Sequence, residues 1–369
     1  MLTRIYAHNF RSLVGFEAKF EPFGVLCGPN GSGKSSVFDA LQLIRDLGMG
    51  AATLGGDRPS DLPRLEFTQW ISATTQDFEL GLRIGGRNFE YAIQLEQKAD
   101  FEKPRVLSEK ASCDGRVLFE RNLEGVRFLR TDGTSTGFPL DWRQAALPAF
   151  QPKGSIAALK DLQDALARLL ILRPDPRAME RESRAEVQYP DRYLTGLISW
   201  YRTLSQDLEW SVALRDSLRM IWPDFRSFRL IDVGVNTKAL QLRFAGESGA
   251  TCDLGFEQLS DGERALVALY MVREALASGA VSSVLIDEPD NFVGLPELQP
   301  WVLALRELLD DQHQALLITH HPEVLGTAGV ESGHYFWRDG HTSPTRFGPL
   351  RIPEGLSPGE AIARGWVHA

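Results

Sequence analysis

Gly28-Pro29-Asn30-Gly31-Ser32-Gly33-Lys34-Ser35 is the stretch on which the reading of this chain turns. Its glycines let the backbone curl until successive N–H groups face one cavity. Lys34 supplies a point charge for β- and γ-phosphates, and Ser35 a hydroxyl that can reach Mg²⁺. The flanks are the ones such a loop requires. Val25-Leu26-Cys27 reads as a strand apolar on both faces. Val37, Leu41, Leu43 and Ile44 recur at helical spacing over 34–47. The helix would add its positive N-terminal end to the cradle. A chance glycine-rich turn explains the loop but neither neighbour. Asn30, Gly31, Ser32, Gly33, Lys34, Ser35 and Ser36 are therefore candidate phosphate-binding residues, in an α/β fold.

Three further motifs follow at the far end of the chain. Val284-Leu285-Ile286-Asp287-Glu288-Pro289 is an apolar strand delivering two adjacent carboxylates. Neighbouring strand side chains point opposite ways. Asp287 thus suits the Mg²⁺ shell and Glu288 the role of general base toward water; a solvated acid pair at a strand end is the plainer alternative. Leu259-Ser260-Asp261-Gly262-Glu263-Arg264 opens an apolar helix, with Ser260 as N-cap and Glu263 three residues on. That is a capping box, and equally a helix N-terminus able to approach a phosphate. Leu316-Leu317-Ile318-Thr319-His320-His321-Pro322 is another apolar strand with a polar end. Either histidine there could be structural, but His320 is placed to hydrogen-bond a γ-phosphate.

The chain has 369 residues, 43% hydrophobic and 24% charged, with a formal net charge of -9. This is ordinary globular composition, and it argues against DNA binding through a generally basic surface. Cys27, Cys113 and Cys252 are an odd, sparse set with neither disulfide framework nor metal-ligand spacing. Arg4, His8 and Arg11 precede any apolar run, so no secretory signal is expected. No run of about 18 apolar residues suggests a membrane span. A cytoplasmic protein is the expectation.

Along the chain, 2–7 and 15–20 read as strands and 48–63 as a loop. Phe78 to Ile84, Gly85-Gly86 and Phe89 to Leu95 carry a hairpin signature. From about 155 to 222 the period is helical: Leu159, Leu162, Ala165, Leu166, Leu169 and Leu170 share one face, as do Leu194, Leu197, Ile198, Tyr201 and Leu204. Strands return at 227–246, a long helix starts at 260, strands are expected at 283–287 and 315–319, and a helix at 297–310. Two short strands and a helix close the chain. This predicts one composite head over 1–369. Its nucleotide-binding core is 1–64 and 225–350, with an antiparallel β arm at 65–150, a helical lobe at 151–224 and a tail at 351–369.

The four motifs in this order resemble the ABC-type ATPase heads of the SMC, RecF and OLD-like proteins, and especially bacterial stand-alone AAA-family ATPases. Asn9-Phe10-Arg11-Ser12 is similar to the opening of that group. The resemblance implies a P-loop head with a mixed sheet, an inserted antiparallel β arm and a helical lobe. It implies ATP and Mg²⁺ as ligands, with Arg11 and Ser12 beside the nucleotide. It implies a head-to-tail dimer in which Ser260, Asp261, Gly262 and Glu263 of one copy meet ATP on the other. It also implies a glutamine that links the lobes and touches Mg²⁺; Gln151 is the candidate and Gln69 its rival. Two departures matter. There is no coiled coil, and the sequence beyond 326 is short for the nuclease domain of OLD proteins, so a nuclease or toxin is expected on a separate chain. Transporter ATPase subunits share the motifs but not the opening or the large insertion.

Three functions fit. The first is an ATP-hydrolysing dimer or higher homo-oligomer that switches a partner effector or nucleic acid, DNA or RNA, as in anti-phage defence. The second is a RecF-like repair ATPase binding DNA ends or junctions through the arginine-rich helices, where Trp200, Tyr201, Trp210 and Trp222 are interleaved. A solvated helix surface over buried aromatics explains the same pattern. The third is a nucleotide sensor without hydrolysis, against which Lys34, Asp287, Glu288 and His320 all stand.

Overall fold

A computed structural model describes residues 1–98, 103–129, 135–150, 157–246, 249–364 and 367. The strands are β1 (Leu2–His8), β2 (Phe16–Lys19), β3 (Phe23–Cys27), β4 (Thr75–Ile84), β5 (Arg87–Glu96), β6 (Arg105–Cys113), β7 (Arg116–Asn122), β8 (Gly125–Leu129), β9 (Ser135–Phe138), β10 (Leu169–Leu172), β11 (Glu182–Ser183), β12 (Phe225–Gly234), β13 (Thr237–Ala245), β14 (Thr251–Gly255), β15 (Ser283–Asp287), β16 (Gln314–Ile318), β17 (Gly333–Trp337) and β18 (Arg346–Pro349). The helices are α1 (Lys34–Gly48), α2 (Ala157–Ala167), α3 (Leu197–Leu204), α4 (Leu208–Ile221), α5 (Asp261–Ala277), α6 (Leu295–Glu307), α7 (Pro322–Ala328) and α8 (Pro358–Ala363). Two compact units result. One is Met1–Leu169, Gly333–Arg351 and Val367–Ala369; the other is Leu170–Ser332 and Ile352–Trp366.

In the first unit an antiparallel sheet runs in the order β2-β1-β4-β5-β6-β7-β8-β9. Its centre is the expected hairpin, in the register Phe78↔Ile93, Leu80↔Tyr91 and Leu82↔Phe89. All six of these side chains are buried, so one pleated face is core and the register is held by what it hides. Deeper in the arm, the Glu109 carboxylate accepts from Tyr91 Oη at 2.9 Å and from the amides of Ala146 and Leu147 at 2.5 and 3.0 Å. Arg121 lies 3.7 Å away, and both side chains are withdrawn from solvent. Burial pushes the Glu109 carboxyl pKa up, against the donors that draw it down. Beside this sheet the buried strand β3 pairs in parallel with β17, which pairs antiparallel with β18. Phe16, Phe20, Phe336 and Phe347 pack together behind them. Arg45, in the last turn of α1, donates to the carbonyls of Leu166 and Ala167 at the end of α2.

In the second unit β10, β15 and β16 are neighbours in that order. β15 and β16 are parallel, with Asp287 opposite Ile318. Every residue of these three strands is buried, the pattern of a parallel sheet covered on both faces. α5 is buried over most of its length, and Trp301 of α6 donates its indole N–H to Leu269 O at 2.9 Å. Trp200, Tyr201 and Trp210 of α3 and α4 are buried.

Residues 168–196 depart from their helical reading. α2 ends at Ala167, Leu169-Leu170-Ile171-Leu172 form β10, Glu182-Ser183 form β11, and Leu194 turns at φ 58 ahead of α3 rather than on its face. Four successive buried aliphatic residues satisfy a covered strand as well as a helix face, and periodicity does not separate the two. Among the described residues no helix is long and apolar enough to cross a membrane.

Candidate functional site

The first unit holds the glycine loop. β3 ends at Cys27, whose thiol is pushed up to a pKa of about 12 by burial. The next residue, Gly28, has φ 147, and a Cβ there would lie 2.2 Å from the Phe336 carbonyl oxygen. Gly33, with φ 103, caps α1 without a side chain to occupy the first helical amides. A Cβ there would fall 2.1 Å from Thr345 Oγ1 and 3.0 Å from Ser12 Oγ. Only glycine fits either place.

The loop is buttressed from two distant segments. Thr345 Oγ1 donates to Ser32 O at 2.9 Å and accepts from the Ser12 hydroxyl at 2.8 Å, and its amide donates to Ser12 O at 2.9 Å. Arg338 donates to Gly31 O at 3.1 Å while its guanidinium lies over the Trp70 ring. Lys34 is 5% exposed and donates to the carbonyls of Gly28 and Pro29 at 2.8 and 3.0 Å. Asn30 and Gly31 are exposed, and Ser35 and Ser36 half-buried, at the start of α1. Ser32 Oγ is buried without a hydrogen-bond partner.

The Asn9-Phe10-Arg11-Ser12 segment has a structural logic of its own. Asn9, fully buried at φ 59, donates to the carbonyls of Ala73 and Thr75 and accepts from the Thr68 amide. Arg11 pairs with Asp39 and Glu66. Ser12 meets the loop through Thr345. Gln69 is engaged locally, with Phe67 O. Gln151 lies outside the described residues.

The second unit holds the acids and the histidines. Asp287 is 2% exposed at the end of β15. Glu288 turns the chain at φ 57, its amide donating to Ile318 O at 2.8 Å. Its Oε2 accepts from Arg173 at 3.0 Å and from Asn291 at 2.9 Å, and His320 Nε2 is 3.8 Å from Oε1. His321 instead caps α7, its Nδ1 accepting from the Glu323 amide. Ser260 caps α5 with the full capping box, Glu263 returning to the Ser260 amide at 2.8 Å. Asp261 pairs with Arg177, which lies over Phe292. Gly262 runs so close to Phe292 O that a Cβ would stand 2.9 Å from it.

Thr345 and Arg338 escaped the sequence reading, while Arg173 was legible only as one arginine of the arginine-rich segment and Asn291 only as a neighbour of the acid pair. The first two belong to no local motif. Asn291 stood in view, in Asp287-Glu288-Pro289-Asp290-Asn291, without a role attached to it.

The ligand chemistry can be tested against these residues. The backbone cradle, closed wherever a Cβ would intrude, fits a polyphosphate. A buried carboxylate, Asp287, and a hydroxyl, Ser35, are hard oxygen donors. Each, in its own unit, is a donor of the type Mg²⁺ takes, an ion that keeps waters and phosphates rather than an all-protein cage.

Residues 23–146 match the family described as "AAA domain, putative AbiEii toxin, Type IV TA system". Among solved structures the chain is similar to an Smc head bound to the C-winged helix domain of ScpA. Identity is 16% and the TM-score 0.59, over 98% of this chain and 99% of that one. An SMC head domain from Thermotoga maritima matches at 16% identity and TM-score 0.48, covering 95% and 99%. So does an Smc head domain with an extended coiled coil bound to the C-terminal domain of ScpA, derived from Pyrococcus furiosus, at 14% and 0.49, covering 99% and 98%. No curated protein matches significantly. The fold is that of an SMC head, a mixed α/β P-loop NTPase fold with several sheets.

Proposed function

We propose that this chain binds ATP with Mg²⁺, hydrolyses it, and uses the cycle as a dimeric switch over a separately encoded effector. The observation that carries the reading is the contrast between two adjacent acids. Asp287 is sealed at the strand end, while Glu288 stands partly open in a left-handed turn. One suits a metal shell and the other a proton acceptor. Lys34 and the loop amides bind the phosphates. Ser35 and Asp287 hold the metal, which when bound would offset phosphate charge. Glu288 takes the proton of the attacking water, and His320 donates toward the γ-phosphate. Ser260, Asp261, Gly262 and Glu263 act on the nucleotide of a second copy, so closure and hydrolysis are coupled to assembly.

The matched family, which covers residues 23–146 and is described by a toxin–antitoxin system, supports a toxin as the effector; a nuclease effector and a role in anti-phage defence are the further reach of the proposal. The RecF-like alternative is less favoured, because Trp200, Tyr201 and Trp210, on which a nucleic-acid strand would stack, are buried, and Trp222 is half-buried against Phe225 and Phe244. Steady-state ATPase assays and light scattering test the proposal together. Lys34→Ala should lose nucleotide binding. Glu288→Gln should bind ATP, accumulate dimer, and turn over about a hundredfold or more slowly. Ser260→Arg should bind ATP as a monomer yet neither dimerise nor hydrolyse. Wild-type turnover in Glu288→Gln would sink the base assignment; a Ser260→Arg protein that dimerises normally would sink the composite site.

A further inference from the structure

We propose that Arg173 is a positioning residue for the general base. Together with Asn291 it holds one carboxylate oxygen of Glu288, so that the other faces the reacting proton. The inference rests on the assignment of Glu288 as base.

Its geometry comes from three neighbouring strands. β10 leads into Arg173, β15 into Glu288, and β16 into Thr319 and His320, which sets an arginine, a carboxylate and a histidine side by side. Arg173 Nη2 donates to Glu288 Oε2 at 3.0 Å, and Asn291 Nδ2 donates to the same oxygen at 2.9 Å. The third neighbour, His320, is nearest to the other oxygen, Oε1, at 3.8 Å, beyond hydrogen-bond reach. Two donors on one oxygen and a gap at the other give the carboxylate a defined working side.

The backbones of both partners are pinned. The Glu288 amide donates to Ile318 O, and the Glu288 carbonyl accepts from the Asn291 amide. The Arg173 amide donates to Arg192 O at 2.7 Å, and Asp175, two residues on, donates to Tyr193 O. This arginine therefore departs from a fixed point. Its side chain is 48% exposed, and an ion pair that open contributes little to stability. Orientation is what the pair can supply. A general base must meet its proton within hydrogen-bond reach, and small misplacements cost about a hundredfold in rate.

The test uses the full chain with ATP and Mg²⁺. Arg173→Ala should lower kcat about tenfold to a hundredfold, with KM for ATP and the affinity for a fluorescent ATP analogue unchanged. Arg173→Lys, which keeps one donor, should recover part of the rate. Millimolar guanidinium should restore turnover to Arg173→Ala while leaving the wild type and Glu288→Gln unaffected. A merely structural arginine would show none of this rescue. Wild-type kcat in Arg173→Ala, a defect confined to KM, or a loss that neither lysine nor guanidinium relieves would overturn the proposal. If Arg173→Ala fails to fold, Arg173→Lys and Arg173→Gln decide it: kcat should be partly kept in the first and lost in the second, and equal rates would reject it. Glu288→Gln separates the two levels. If that variant turns over normally, the base assignment has failed. If it is inactive while Arg173→Ala behaves as wild type, only the role of Arg173 has failed.

Discussion

A glutamate at φ 57 is a costly choice of residue. Non-glycine side chains in that region carry about 1–3 kcal/mol of strain, and Glu288 is kept there by the Ile318 carbonyl, Asn291 and Arg173. Glycine would sit in the same turn without strain. Glu288→Gly is therefore expected to unfold in urea at the same or a slightly higher midpoint, by up to about 1 kcal/mol, while hydrolysis collapses. A clear loss of stability would mean that the side-chain contacts outweigh the strain. The cysteines allow a second test at this scale. Cys27 and Cys113 are buried and Cys252 is exposed, and the thiol of Cys27 is held protonated far above neutrality. Maleimide at pH 8 should label the native chain once, at Cys252, and three times in denaturant. Rapid native labelling of Cys27 would show that β3 opens.

Among the elements, those set by local pattern could be read in advance and those set by partners could not. The 78–95 hairpin, the strand–loop–helix around Lys34, the capping box at Ser260 and the acid strand each carry their own signal within about ten residues. Leu169–Leu172 does not: its four aliphatic residues satisfy two periodicities, and only the neighbour β15 makes them a strand. Arg11 and Ser12 were legible as a motif, but the way they work was hidden. Ser12 touches the loop through Thr345, and Arg11 is claimed by Asp39 and Glu66, contacts made between residues far apart in the chain. The β arm offers the sharpest stability test. Removing one member of a sealed ion pair leaves the other uncompensated, so Glu109→Leu should cost about 3–5 kcal/mol in urea unfolding. Glu109→Leu with Arg121→Met should recover only part, because the Ala146 and Leu147 amides and the Tyr91 hydroxyl still lack an acceptor. A loss under 1 kcal/mol in the single variant would show that water reaches the site.

For the whole molecule, ligand linkage is the accessible measurement. ATP with Mg²⁺ at about 100 times its dissociation constant should add roughly 2.7 kcal/mol, a rise of a few degrees in Tm, absent in Lys34→Ala. An equal rise in that variant would place ATP elsewhere. The net charge of -9 also sets an expectation: any DNA binding should be weak and should fade steeply with added salt. The hydroxyl of Thr345 has a further consequence. It bonds to residues more than 300 positions earlier in the chain, so the glycine loop is braced by residues that leave the ribosome long after the loop itself. During synthesis, a nascent polypeptide halted before the β17–β18 hairpin would display every letter of the loop and still lack the clasp that shapes it. The loop's shape would then wait on a hairpin made some 300 residues after it, so the order of synthesis sets when the cradle can first take its final form.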